Sequence, residues 1–208
     1  DCDGCELSWR RTPGHARSRT KEHGRRVDSI VKTSRKLLVL LPISGLSAED
    51  IALRQDYIQA HVGRDWVPVM RLLPGTPKSI ESDAEKQVAS ALINEFGYSI
   101  EGQSILSDVD AVLVWCSSDP GVAELRKYTK IPVIGPGESA FHMAMLQGRR
   151  FAYLTPLSVG ADRAQKYVRD LGFAERFAGV EVIGTPVLEL RKDLEATRQR
   201  VGAAGKRA

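Results

Sequence analysis

The chain has 208 residues, 42% of them hydrophobic, enough for one large domain or two small ones with a sizeable core, and no apolar run in it approaches a membrane span. Its formal charge of +4 is concentrated at one end: residues 1–36 hold 10 Lys/Arg against 5 Asp/Glu, leaving 20 of the chain's 30 basic and 21 of its 26 acidic residues elsewhere. The body is therefore close to neutral, which argues against a polyanion-binding surface and disfavours nucleic acid as a partner.

Residues 1–35 are rich in Arg, Ser, Thr and Gly and show neither helical nor strand periodicity. They cannot bury enough apolar area to offset the entropy of ordering, and read as a basic, disordered extension. The sequence opens at Asp1 with no methionine ahead of the body, which suggests a fragment or translation running in from upstream. Cys2-x-x-Cys5 followed by His15 and His23 invites a zinc reading, but nine residues separate Cys5 from His15 and seven separate the histidines. That misses the usual finger spacing, so no metal is assigned. Cys2, Cys5 and Cys116 make no disulfide framework and the N-terminus shows no signal-peptide core, so the expected setting is reducing and cytoplasmic.

Order is expected from Lys36. Residues 37–41 are a continuous apolar run, the form of a strand buried on both faces; Pro42-Ile-Ser-Gly45 turns the chain, and Ser47-Ala-Glu-Asp50 is a capping box opening a helix to about residue 62. Ser44 falls at the carboxyl end of that strand. The next strand, about 65–73, contains Pro68, which cannot donate to a ladder and so belongs at a sheet edge. After the loop that begins Pro74-Gly-Thr-Pro-Lys-Ser, Ser82-Asp-Ala-Glu85 is a second capping box. Val88, Ala91, Leu92, Glu95 and Phe96 trace one helical stripe that Gly97 is expected to stop. Residues 112–115 form a third buried strand ahead of Cys116, with Asp119 and Pro120 reading as N-cap and first position of a helix over 119–128. Residues 131–134 are a short fourth strand.

Gly135-Pro-Gly-Glu138 starts a second half. A helix over about 139–146 leads to a strand at 151–154 that delivers Thr155 to a rim, as earlier strands deliver Ser44 and Cys116. A helix over 160–171, a strand over 177–183 and an amphipathic helix over 186–201 complete the pattern. Alternation of strands and helices at these lengths predicts α/β architecture with parallel sheets and right-handed crossovers. The expected organisation is an extension over 1–35, a first α/β half over 36–134, and a second over 135–208 whose two strands leave it incomplete, as a truncation or frame break at residue 208 would.

Cys116 is the main chemical candidate. It sits between a strand's carboxyl end and a helix's amino end, where ligands bind in open α/β sheets and where helical N–H groups can favour a thiolate. Asp119 opposes that shift, and the alternative is a small buried hydrophobe. His142, in a helix beside apolar neighbours, reads as structural or exposed more readily than as a base. Glu138 reads as favouring a helix dipole. Gly135-Pro-Gly137 lacks both phosphate-loop patterns, and Trp115 falls in or beside the site.

Four blocks in order, Gly75-Thr-Pro-Lys-Ser-Ile-Glu-Ser82, Asp110-Ala-Val-Leu-Val-Trp-Cys-Ser-Ser-Asp-Pro-Gly121, Ile131-Pro-Val-Ile-Gly-Pro-Gly-Glu-Ser-Ala140 and the strand ending in Thr155, resemble the aspartate/glutamate/hydantoin racemase superfamily, most closely its hydantoin racemase branch. The resemblance covers about residues 36–201. It implies two pseudo-symmetric, doubly wound α/β halves with the active site in the cleft between them. It also implies a cofactor-independent racemase of amino-acid derivatives, with a small-molecule substrate and one catalytic cysteine on each half, and it leaves a homo-oligomer open. Cys116 matches the first of those cysteines; Ser117, Ser118 and Thr155 match the ligand-binding rim, which Ser44 joins by its place at a strand end.

Two features depart from the family pattern. The Asn-Pro-Asn-Thr turn of many hydantoin racemases is Leu41-Pro-Ile-Ser44 here, and the second cysteine, placed by the family beyond the helix that ends near residue 201, does not occur in the body. The expectation is therefore an impaired racemase that exchanges a substrate proton without inverting the carbon. The alternatives are a maleate isomerase or arylmalonate decarboxylase type of enzyme, and a non-catalytic small-molecule-binding protein on the same fold.

Overall fold

Five consecutive apolar residues, 37–41, lie at the heart of a four-stranded parallel sheet, where both faces of a strand are covered and alternation is not required. This computed structural model describes residues 34–208, all within one contact-connected unit. The basic extension expected over 1–35 lies outside the described residues up to position 33, as do Cys2, Cys5, His15 and His23, to which no metal was assigned; its last residue, Arg35, already belongs to the first strand.

Strands β1 (Arg35–Leu41), β2 (Trp66–Leu72), β3 (Ala111–Val114) and β4 (Val133–Ile134) pair in the order β2-β1-β3-β4. Pro68 sits on the edge strand β2, in register with Leu37 of β1, the kind of position where a residue without an N–H is tolerated. Two cores flank the sheet, as a doubly wound fold demands. Leu37, Val39 and Leu41 pack with Ile58 of helix α1 (Ala48–His61). Leu38 and Leu40 pack on the other face with Ile93 and Phe96 of α2 (Asp83–Tyr98), Leu106 of α3 (Ile100–Ser107), and Val122 and Leu125 of α4 (Val122–Leu125).

Both capping boxes form: Ser47 with Asp50 opens α1, and Ser82 with Glu85 opens α2. Helix α2 ends one residue past Gly97, at Tyr98, with Ser99 rather than Gly97 as its C-cap. Gly97 is the helix's penultimate residue, where a Cβ would fall 2.5 Å from the Tyr128 ring, so it is a close-packing glycine rather than a cap. Ser99 then caps α3, a helix absent from the sequence reading, by accepting from the Gly102 N–H.

The chain continues through α5 (Pro136–Gln147), β5 (Phe151–Thr155), α6 (Val159–Asp170), β6 (Phe177–Val182) and α7 (Leu194–Arg207). Strands β5 and β6 form a separate two-stranded parallel sheet on which α6 and α7 pack. The continuous helix expected over 186–201 is instead a 3-10 turn, Val187–Glu189, followed by α7 with Asp193 as its N-cap. The Asp193 carboxylate accepts from the Ala196 N–H and restarts the helix. Among the described residues, no helix is long and apolar enough to cross a membrane.

Candidate active site

The carboxyl ends of β3 and β5 face a common cleft, a cavity of about 240 Å³ whose wall includes Cys116, Ser117, Ser118 and Thr155. Four of the five site residues expected from sequence are thus brought together. Ser44 is not. It is exposed, its hydroxyl donates to the Thr76 carbonyl at 2.8 Å and its N–H to Pro77, so it fastens the turn after β1 to the loop after β2.

Cys116 leaves β3 on a tight turn in which the Asp119 N–H donates to its carbonyl at 3.0 Å. Among the described residues it is the free cysteine, half-buried, with Sγ 3.2 Å from Ser118 Oγ. Burial pushes its thiol above the ordinary value; the Ser118 hydroxyl and N–H pull it down, Asp119 adds to the rise, and Lys86 opposes it. The anticipated support from a helix amino end is missing. Helix α4 has only four residues and begins at Val122 with Gly121 as its N-cap, so Asp119 and Pro120 are neither its N-cap nor its first turn.

Asp119 instead caps another helix. Its backbone is left-handed at φ +49°, a conformation that Asp tolerates better than most residues, and this turns its buried carboxylate toward α5. There it accepts from the N–H groups of Gly137 at 2.9 Å and Glu138 at 2.6 Å, and from the Tyr167 hydroxyl at 2.8 Å. The Gly-Pro-Gly run is the other half of this joint. A Cβ on Gly135 would lie 2.5 Å from the Asp119 carboxyl carbon, and one on Gly137 would lie 2.1 Å from the Ser117 carbonyl oxygen. The glycines therefore let α5 press directly on the Cys116 turn, while Pro136 starts the helix. Burial lifts the Asp119 carboxyl above its usual range against the pull of its donors, and lifts the Tyr167 hydroxyl as well.

On the β5 side, Thr155 is buried with its hydroxyl donating to the Leu157 carbonyl at 3.2 Å; Gly160 leaves it room, since a Cβ there would fall 2.3 Å from Oγ1. The Tyr153 hydroxyl, from within β5, donates to Ser117 Oγ at 3.2 Å, a contact between the second sheet and the turn after β3. Trp115 lines the cleft and meets Tyr57 edge to face. His142 is exposed, bonded to the Glu138 carbonyl and packed on Phe173, away from the cleft wall. Glu138 pairs with Arg126 at 3.0 Å.

The sequence reading passed over Lys86 on α2, Arg163 and Tyr167 on α6, and Tyr153 on β5, all of which line the cleft. Their helical or strand spacing resembles ordinary amphipathic patterning, and nothing local marks them. No group of side chains able to hold a metal ion occurs among the described residues. The arrangement offers a thiol beside a hydroxyl, phenol and hydroxyl groups from the second sheet, and three cations, Arg54, Lys86 and Arg163.

A family profile described as Asp/Glu/Hydantoin racemase matches residues 53–208. The chain belongs to that family. It is 33% identical over 119 residues to a hydantoin racemase of Rhizobium meliloti, covering 57% of this chain and 47% of the relative. A hydantoin racemase of Pseudomonas sp. (strain NS671) is 31% identical over 100 residues, covering 48% of this chain and 40% of the relative. The chain thus spans less than half the length of these curated relatives. Its fold is similar to that of an allantoin racemase from Klebsiella pneumoniae, with a TM-score of 0.72 and 24% identity over 83% of this chain and 70% of that one. An allantoin racemase from Pseudomonas fluorescens gives a TM-score of 0.70 at 22% identity, over 81% of this chain and 69% of that one.

Proposed function

We propose that the cleft performs proton transfer at a carbon next to a carbonyl in a five-membered cyclic amide of the hydantoin type, with Cys116 as one proton-transfer group. The observation that carries this is the Cys116 thiol on the cleft wall with Ser118 Oγ at 3.2 Å, in a chain of the racemase family. Deprotonated, Cys116 takes the proton from the ring carbon, and the electron pair of the broken C–H bond moves onto the neighbouring carbonyl oxygen as an enolate. Hydroxyl groups along the rim, Ser118 and Tyr153 among them, supply the polar surroundings in which such charge develops. Return of a proton to the same face restores the substrate; delivery from the opposite face inverts it.

The family resemblance assigns that second delivery to another thiol, and Cys116 is the free cysteine among the described residues. For this chain the expected activity is therefore exchange of the ring-carbon proton with solvent, with inversion slow or lost. Incubating a 5-substituted hydantoin in D2O and following the ring proton by NMR tests this. Exchange above the uncatalysed rate should disappear in Cys116→Ser. Undiminished exchange in that variant would overturn the assignment, and tight binding with no exchange would favour a non-catalytic binding protein.

A further inference from the structure

Proton transfer at carbon leaves one side of the cleft unexplained. Arg163, on α6, has a side chain only 13% exposed, and its Nε donates to Asp83 Oδ1 at 2.7 Å. Its Nη2 is buried with no hydrogen-bond partner among the described residues, although guanidinium donors in protein interiors are almost always paired. Lys86, half-buried on α2, lines the same cavity and lies with Nζ 5.4 Å from the centre of the Tyr167 ring. The charged groups on the cavity wall are Arg54, Lys86 and Arg163 against Glu81 alone. Arg54 is engaged with Asp50, and Glu81 Oε1 accepts from the Val187 N–H at 2.9 Å. Asp83 is largely exposed and holds Arg163 by one nitrogen, which orients the guanidinium without satisfying it.

We propose that Arg163 and Lys86 form an anion subsite, and that the substrate of this cleft is a five-membered cyclic amide whose ring substituent ends in a carboxylate. The ring rests on the proton-transfer reading above, whereas the charged substituent rests on the orphaned guanidinium nitrogen and the cationic wall. A carboxylate is the planar acceptor that a guanidinium fork matches, and the ammonium adds a second donor. The two cations also oppose each other: burial first, and then Arg163, hold the Lys86 pKa below its ordinary value, and an anion seated between them removes that conflict.

Calorimetric titration of the whole chain with 5-(2-carboxyethyl)hydantoin and with its uncharged isostere, 5-(2-carbamoylethyl)hydantoin, tests the subsite. The carboxylate is expected to bind about tenfold tighter or better, in keeping with charge-assisted hydrogen bonds to a partly buried cation. Arg163→Gln should bring the two ligands to near-equal affinity. Lys86→Met, which leaves the Arg163–Asp83 pair intact, should lower the preference in part and serves if the first variant fails to fold. Equal affinities for the unmodified chain, absence of binding by either ligand, or a preference undiminished in both variants would overturn the proposal. A carboxylate preference without exchange of the ring proton would sink the proton-transfer reading and leave the subsite standing; exchange on both ligands at equal affinity would do the reverse.

Discussion

Cys116 works against its surroundings. A thiol at the end of a buried strand is short of solvent, and the Asp119 carboxylate disfavours the anion further; Ser118 and Lys86 restore part of what burial removes. Since the folded-state pKa is raised, the thiol keeps its proton through neutral pH and the thiolate appears only as the pH climbs. Alkylation by iodoacetamide, read at Cys116 by peptide mass spectrometry, should therefore show a midpoint above 9.0, the ordinary thiol value, and Ser118→Ala should move it higher still. A midpoint below that value would mean that the Ser118 contact outweighs burial. The position of Cys116 was legible in the sequence because an apolar run followed by a polar turn marks a strand's carboxyl end. Asp119 was misread because an Asp-Pro pair is the ordinary signature of a local cap, whereas its real partners lie at Gly137, Glu138 and Tyr167, and no local pattern encodes that reach. Ser44 has the right address at a strand end, but its hydroxyl is spent on the Thr76 carbonyl. Lys86 and Arg163 escaped notice because only tertiary packing brings two helices to the same cleft wall.

At the scale of elements, local chemistry governed starts better than stops. Both capping boxes form at the serines that announce them, since the Ser and its partner three residues on satisfy each other within one turn. Gly97 looked like a terminator because glycine so often ends helices, and the helix does end one residue later, but Gly97 serves there by its missing side chain, which makes room for Tyr128, rather than as the cap. The following corner is tighter still. A Cβ on Gly102 would lie 1.7 Å from the Phe96 carbonyl oxygen, backbone that cannot swing aside. Gly102→Ala should thus force α2 and α3 apart and cost about 3 kcal/mol, observed as an earlier midpoint in urea unfolding. A change of a few tenths of that size would show that the corner relaxes cheaply. The 3-10 turn that replaces the start of the last helix has a similar lesson: Val187 gives its N–H to Glu81, a bond across 106 positions that periodicity does not contain.

Across the whole molecule, the two sheets are unequal. The first has four strands, with the core residues of β1 buried on both faces, while the second has two strands of mostly half-buried residues. Family resemblance made the two-sheet α/β plan legible, alternation of strand and helix made its parallel connectivity so, and Pro68 marked β2 as an edge; the rest of the order β2-β1-β3-β4 is set by packing that no local pattern encodes. Short two-stranded sheets depend on the helices that cover them. Native-state hydrogen exchange should accordingly find its slowest amides in β1 and β3, with those of β5 and β6 released by smaller openings. Equal protection in the two sheets would indicate that the molecule opens as one cooperative unit.

The joint at Asp119 has a mechanical meaning. One carboxylate is shared by the turn that carries Cys116, the first turn of α5 and a tyrosine of α6, so these three pieces are pinned at a single node. A loop pinned in this way does not sway on its own. Any displacement that widens the mouth of the cleft must either carry α5 and α6 along with the thiol or first detach the node, and the sulfur's position is set by the frame around it more than by the turn it rides on.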